Sequence, residues 1–341
     1  MIAGRNHPKI YSSAASWIVT LAILWVAGGA TCYRRTIKIS HLPPPPVFTA
    51  NAVPSLDELA QVLNRTDSIT QLSSNSLSVE VPSMSNVPRL SATLAIDRPQ
   101  RFRMRASVPL LLGSGIDLGS NEERFWFEVP EAMTQTLYFA RHDQYQRQSV
   151  RSILPVDPSW LVEALGLVHL DTAQVVEGPI VRTDGRLEVR SMMPYPDGLY
   201  SRVCVIEPNA GYVTDQILYG PSGKMIAGAS GSHHRYYEEQ QCALPHQVHV
   251  RLLPDGGPPL ELKLEIGTYT VNQLLSGDPQ LFTMPRTARQ QVDLAALGQA
   301  LSGDPAYGAS SAAAPQSVVA PPPRSAYALP TANGSITDSY R

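Results

Sequence analysis

The stretch that decides the fold is Leu90–Phe139, which reads LSATLAIDRPQRFRMRASVPLLLGSGIDLGSNEERFWFEVPEAMTQTLYF. Short segments in which apolar and polar residues alternate follow one another, and turn residues separate them. Alternation with a period of two predicts strands that bury one face, and short connections predict antiparallel pairing. The stretch therefore indicates an antiparallel meander with one apolar face and no sign of catalytic chemistry.

The apolar residues of this meander share one phase of the alternation within their strands. We expect them to lie on the inner face of a curved sheet and to line an apolar cavity in part. They are Leu94, Ile96, Phe102, Met104, Phe125, Phe127, Leu137 and Phe139. For any one of them the alternative is ordinary core packing under a helix. Trp126 lies in the opposite phase to Phe125 and Phe127.

The composition limits the classes of function. The chain has 341 residues, of which 43% are hydrophobic, and its formal net charge of −2 argues against nucleic acid as the main partner. It contains no GxSxG, phosphate-binding loop or HExxH motif, so we do not predict an enzyme. There is no CxxC pair, and His233-His234 and His246/His249 would point to opposite faces of a strand. We therefore predict no metal site and no cofactor.

The N-terminus carries an export signal. Basic residues precede the apolar run Trp17–Thr31, which is shorter than the about 20 residues that a transmembrane helix needs. Gly29-Ala30-Thr31-Cys32 then resembles the cleavage box of bacterial lipoproteins. Residues 1–32 are thus a lipoprotein signal with lipid on Cys32, an uncleaved membrane anchor, or a plain cleaved signal. The first two readings anchor the protein to a membrane on the periplasmic side, and all three place its body in the cell envelope.

Three further segments follow the signal. Residues 33–54 contain four consecutive prolines and predict a stiff, extended tether. Residues 55–286 predict one folded domain. Residues 287–341 become rich in Ala, Pro and Ser with almost no charge, and we expect them to be disordered because they cannot bury enough surface to fold.

Two helices interrupt the predicted strands. Ser55 and Glu58 form a capping box that opens a helix to Ile69, and Asp157-Pro158 opens a second helix to Val168. Trp160, Leu161 and Leu165 belong to the apolar face of the second helix.

A second set of strands is predicted from Ala173 to about Tyr269. It includes His233–Cys242 and Leu260–Val271, each predicted as a single strand. Cys204 and Cys242 could form a disulfide in an oxidising compartment, although a simple meander would place them on strands that are not neighbours.

Several motifs resemble one known family. Asp97–Met104 (DRPQRFRM) and Gly119–Pro130 (GSNEERFWFEVP, with its Trp126) resemble two strand motifs of periplasmic lipoprotein carriers and their outer-membrane receptors, the LolA/LolB-like proteins. Leu281–Pro285 (LFTMP) resembles the closing strand of that family, and Leu218–Lys224 resembles one of its hairpins.

The resemblance implies a mainly β fold, an incomplete and strongly curved antiparallel β-barrel with a helical lid over an apolar cavity for acyl chains. Trp160, Leu161 and Leu165 would then belong to the lid. The chain departs from the family at Asn75–Val81, because that early strand lacks the arginine with which the carriers hold their lid closed.

The functional expectation follows from the signal and the resemblance together. We expect an exported, membrane-tethered protein that binds lipid or the acyl chains of lipoproteins, as in lipoprotein sorting to the outer membrane. The alternative is a structural or assembly lipoprotein of the cell envelope that binds another envelope protein through its sheet.

Overall fold

A computed structural model describes residues 39–40, 43–48, 52–84, 87–107, 115–131, 134–145, 155–254, 258–273, 280–286 and 290–297. The predicted signal or anchor with Cys32, and the tail beyond 297, lie outside this set. Within these ranges no helix is both long enough and apolar enough to cross a membrane.

The first half of the domain contains one helix and a six-stranded meander. Helix α1 is Leu56–Leu63, and both arms of its predicted capping box are formed, with Glu58 N donating to Ser55 Oγ over 3.3 Å. The helix ends earlier than predicted because Thr66 donates to the Val168 carbonyl over 2.7 Å, within a 3₁₀ turn at Asn64–Ser68. The strands are β2 (Gln71–Glu80), β3 (Leu90–Asp97), β4 (Arg101–Ser107), β5 (Gly115–Ser120), β6 (Arg124–Glu131) and β7 (Thr134–Arg141).

In its described residues, the second half begins with short helices, and a further run of strands follows. Helix α2 is His142–Tyr145 and helix α3 is Pro158–Ala164, with Asp157 as the N-cap of α3. Gly166, with a φ of +93°, terminates α3 before the predicted end at Val168. The strands are β8 (Val175–Val181), β9 (Leu187–Tyr195), β10 (Gly198–Ile206), β11 (Val213–Tyr219), β12 (Met225–Ser232), β13 (Arg235–Tyr237), β14 (Cys242–Leu244), β15 (Gln247–Leu252), β16 (Leu260–Ile266), β17 (Thr270–Val271) and β18 (Gln290–Asp293).

The two halves form one curved 15-stranded sheet. Its strand order is β18-β7-β6-β5-β4-β3-β2-β16-β15-β12-β11-β10-β9-β8, with β17 paired to β2. The first half runs outward from the centre to one edge, and the second half runs from the other edge back to the centre. They meet where β16 pairs with β2, with Leu264 opposite Val79. The sheet is mainly antiparallel and does not close, which confirms the predicted incomplete barrel.

Two predicted strands are wrong in their extent. The predicted strand His233–Cys242 is instead β13 and the start of β14, which pair as a hairpin. The chain has positive φ angles of 55° at His233, before β13, and of 51° at Gln241, before β14. The hairpin pairs with the short β1 (Ile39–Ser40) in a separate sheet. Leu260–Val271 is broken at Gly267, whose N–H donates to the Ser76 carbonyl, so that β16 and β17 contact different parts of β2.

The folded domain extends further at both ends than predicted. Strand β18 pairs in parallel with β7, and Leu294 and Ala295 behind it are buried against Phe125 and Tyr145. The domain therefore does not end at 286. At the other end, Val47 N donates to the Asn209 carbonyl over 2.7 Å. With β1 paired to β13, this part of the predicted tether packs on the domain and is not a free spacer.

Helices cover the concave face of the sheet. Leu59 and Leu63 of α1 pack with Leu187 and Ile206 of β9 and β10. Helix α3 packs on the central strands, in the largest cluster of buried apolar residues.

Part of the convex face is buried as well. Arg103 is only 4% exposed, because two of its nitrogens bind the Asp117 carboxylate at 2.7 and 3.1 Å and a third donates to the Leu281 carbonyl. Residues 280–286 are turns that cover this face, so Leu281–Pro285 is not a strand as its resemblance implied. Trp126 lies beside Arg103, with the guanidinium carbon 5.8 Å from the ring centroid, and over Gly119.

Gly119 leaves the space that the Trp126 ring occupies. A Cβ at this position would lie 2.1 Å from Trp126 Cζ2, so we expect Gly119→Ala to destabilise the fold by about 1–3 kcal/mol through overpacking. Urea denaturation measures this change in the free energy of unfolding. Gly220→Ala is the control, because its Cβ would lie at an ordinary 3.4 Å from Ile226. Equal effects of the two substitutions would contradict the assigned packing.

Candidate apolar binding site

An apolar cavity of about 220 Å³ opens on the concave face, where the helices leave the sheet uncovered. Strands β4, β5 and β6 form one wall, strands β15 and β16 form the opposite wall, and the start of α3 lies between them. The lining residues are Val81, Met84, Val87, Phe102, Ile116, Leu118, Gly119, Phe125, Trp126, Phe127, Glu128, Pro155, Pro158, Leu161, Leu252, Pro254, Leu260 and Leu262.

The strand registers place the lining side chains on one face. Leu118 lies opposite Met104 on β4 and Phe127 on β6, and side chains directly opposite each other in a sheet share a face. Leu252 lies opposite Leu260 on the other wall. Ile116, Leu118 and Leu161 are half-buried, so the cavity is accessible from solvent.

The cavity includes four of the predicted residues. Phe102, Phe125, Phe127 and Leu161 line it. Leu94, Ile96 and Met104 share the concave face but are buried in the core, where each is 1–3% exposed. Trp160 and Leu165 of the predicted lid are also core residues.

Leu137 and Phe139 are placed wrongly by the alternation pattern. In the register of β6 and β7, Phe139 lies opposite Trp126 and Leu137 opposite Glu128, which puts both on the convex face. Tyr138 takes the concave position and stacks on Phe127 at a centroid distance of 5.1 Å. Both faces of this edge carry apolar residues, and Leu137 is fully buried, so hydrophobicity alone does not distinguish them.

Several residues that line the cavity are not among the predicted site residues. Ile116 and Leu118 flank Asp117 on a strand that was predicted, and their alternation was a sufficient signal. Leu252, Leu260 and Leu262 had no such signal, because only the pairing of β16 with β2 brings the second half of the chain to this cavity.

Glu128 is the only ionisable residue of the lining that the structure describes. Its register partner is Asp117, on the convex side. Burial, together with the nearby Asp117 carboxylate, raises the pKa of Glu128. The lining residues in the described part of the chain therefore include no positively charged side chain.

A buried ion pair holds α3 on the sheet. Arg202 of β10 donates to the Glu163 carboxylate over 2.6 Å and to the His169 carbonyl over 3.1 Å. Gln216 of β11 donates to the Glu163 carbonyl over 3.2 Å. Burial raises the pKa of Glu163, and the Arg202 guanidinium opposes that shift. An arginine thus contacts this helix, but from β10 and not from the early strand at Asn75–Val81.

The remaining polar groups of the interior have structural roles. His246 accepts from the Tyr237 hydroxyl over 3.0 Å and donates from Nδ1 to the Ile266 carbonyl over 2.6 Å, and burial lowers its pKa. Cys204 and Cys242 are both buried free thiols. The possible disulfide is therefore not formed. Burial raises the pKa of Cys204 to about 11 and that of Cys242 to about 12.

Fold and site together define a protein with an unclosed β-sheet and an open apolar cavity on its concave face. No family model matches the chain, and no curated protein matches it. Among solved structures it is similar to one described as an outer membrane lipoprotein-sorting protein domain from Vibrio parahaemolyticus, with 9% identity, 66% of this chain and 94% of that chain covered, and a TM-score of 0.41. It is also similar to a LolA superfamily protein from Nitrosomonas europaea, with 10% identity, coverages of 66% and 96%, and a TM-score of 0.39.

The Arg202–Glu163 pair predicts an asymmetric response to mutation. Arg202→Met leaves a buried carboxylate without its partner, and we expect a loss of about 3–5 kcal/mol in the free energy of unfolding. Adding Glu163→Met should recover most of that loss, since no unpaired charge is then buried. Denaturant unfolding measures both changes. Arg141→Met, in an exposed pair with Asp143, should have little effect. A double variant no more stable than Arg202→Met would contradict the buried pair.

His234 predicts a pH dependence of stability. It stacks on Tyr212 at 4.0 Å, and burial lowers its pKa to about 4, against 6.5 when unfolded. The unfolded chain therefore binds a proton more readily as the pH falls, and stability falls with it, by about 2 kcal/mol between about pH 7 and pH 5. His234→Phe keeps the stacking and should remove that part of the slope in urea titrations at several pH values. An unchanged slope would show that His234 is not the group responsible.

Proposed function

We propose that this protein binds an acyl chain of a lipid or an acylated lipoprotein in the apolar cavity of its concave face. The observation that carries the proposal is the cavity itself, which is half-open to solvent and walled by apolar side chains from both halves of the sheet. Removing a methylene group from water stabilises a complex by about 0.8 kcal/mol, so a chain that enters this site is retained without any polar contact.

The N-terminal sequence supports a place for this binding in the cell envelope. An apolar run followed by Cys32 fits a membrane-tethered protein, for which lipids and lipoproteins are close at hand. Transfer of cargo in lipoprotein sorting is the finer form of the proposal. Helix α3 would take part as a lid, because Leu161 lines the cavity on the helix that Arg202 holds to the sheet.

A cavity variant with a matched control tests the proposal. Ile116→Glu places a carboxylate in the cavity at a half-buried position, and Ile217→Glu makes the same change at a half-buried position on the opposite face of β11. We expect Ile116→Glu to weaken binding of an uncharged fluorescent alkyl probe by at least about tenfold, since a charge in an apolar site must be desolvated, and Ile217→Glu to leave binding unchanged.

Fluorescence titration of the two purified variants, with circular dichroism to verify folding, gives the readout. Probe binding that is equally strong in Ile116→Glu would place the ligand elsewhere. A folded wild-type protein that binds no alkyl probe would reject the proposal.

The second candidate is an envelope assembly protein that binds a protein partner through its sheet. The edge strand β8 favours it, because Val176 and Val181 on that strand are 60% and 55% exposed. Exposed apolar residues on a sheet edge are typical of surfaces that pair with another chain. Failure of all alkyl probes to bind the folded protein would favour this second function.

A further inference from the structure

The charge of the cavity limits which end of a ligand can enter it. Glu128 is the sole ionisable residue among the described lining residues, and its pairing with Asp117 places its side chain on the convex face, away from the cavity. A carboxylate buried here would have no positive partner, and an unpaired charge in an apolar site is costly.

The arginines of the surrounding strands are already engaged elsewhere. Arg103 and Arg105 of β4 lie on the convex face and bind Asp117, at 2.7 and 3.5 Å. Arg202 is on the concave face, but Glu163 binds it at 2.6 Å and leaves it 5% exposed. Turning Arg202 toward a ligand would leave Glu163 unpaired, and Arg103 and Arg105 lie on the other face of the sheet, so none of them serves as a ready carboxylate receptor.

The size of the cavity limits how much of a chain it holds. An apolar cavity of about 150 Å³ accommodates benzene, a molecule of six carbons. On that scale the cavity volume of about 220 Å³ takes roughly nine carbons. This is part of one acyl chain and not a pair of chains.

We infer that the cavity binds the methyl end of a single acyl chain whose carbonyl is in ester or amide linkage, and that it discriminates against free fatty acids. The inference rests on the proposed function and specifies its ligand. The polar head stays at the mouth, in water, where it needs no partner from the wall. Acyl chains of intact lipids and of lipoproteins meet this condition, and fatty-acid carboxylates do not.

Displacement of an uncharged fluorescent alkyl probe from the full-length protein tests the inference. The competitors are methyl esters and fatty acids of equal length, from about six to about fourteen carbons, below their micelle concentrations and at a pH of about 8, where the acids are ionised. We expect each ester to bind at least about tenfold more tightly than its acid. Ester affinity should rise about fourfold per methylene and level off near about nine carbons.

Two results would overturn the inference while the proposed function stands: acids that bind as tightly as esters, or ester affinity that keeps rising to about fourteen carbons. Binding of no alkyl compound at all would overturn the proposed function and the inference with it. The two failures are therefore distinguishable.

A charge variant tests the physical cause. Leu118→Lys places a cation on the half-buried centre of β5, and Leu118→Met makes a similar change in shape without charge. We expect the lysine variant to raise the affinity for acids relative to esters by at least about tenfold over the wild-type ratio. The methionine variant should keep the wild-type ratio. If Leu118→Lys does not fold, Leu161→Lys on α3 replaces it. An unchanged preference in the folded lysine variant would contradict the absence of a cation as the cause.

Discussion

The pairing of β16 with β2 is the constraint on which the rest of the structure depends. These strands lie far apart in the sequence, yet Leu264 faces Val79 and Ile266 faces Leu77 at the centre of the sheet. This one junction turns two meanders into a single curved surface and brings the wall of β15 and β16 opposite that of β4, β5 and β6. The cavity exists because of it, since neither meander alone has a second wall.

The interior combines apolar burial with a few polar groups that pair with one another. Arg202 and Glu163 are desolvated together, so their attraction offsets a cost that either would bear alone. On the other side of the sheet Arg103 and Asp117 hold residues 280–286 over β4 and β5. In these contacts each arginine is bound to an acid and none of the four side chains lines the cavity. Among the lining residues that the structure describes there is no cation, which is the basis of the ligand preference that we propose.

Much of the fold could be predicted because period-two alternation reports local backbone geometry. Strand Leu90–Asp97 has the predicted bounds, and the caps at Ser55 and Asp157 open the helices as expected. The predictions fail where alternation does not distinguish the concave face from the convex face, or a strand from a turn. Phe139 lies on the convex face, and because both faces carry buried apolar residues here, hydrophobicity alone does not place it. The predicted strand His233–Cys242 turns at Gln241, between β13 and β14. Gln241 adopts a left-handed conformation there, and glutamine is not a residue that signals a turn.

The sequence by itself determined the class of the fold, the positions of most strands and the phase that places Phe102, Phe125 and Phe127 on one face. These properties depend on contacts between residues near each other in the chain. The tertiary structure alone decided which of those residues line the cavity. Leu94, Met104 and Phe102 have the same pattern and belong to one buried cluster, but of the three it is Phe102 that also lines the cavity. A cavity is the space between distant segments, so its position depends on how those segments pair and not on the residues of any one strand.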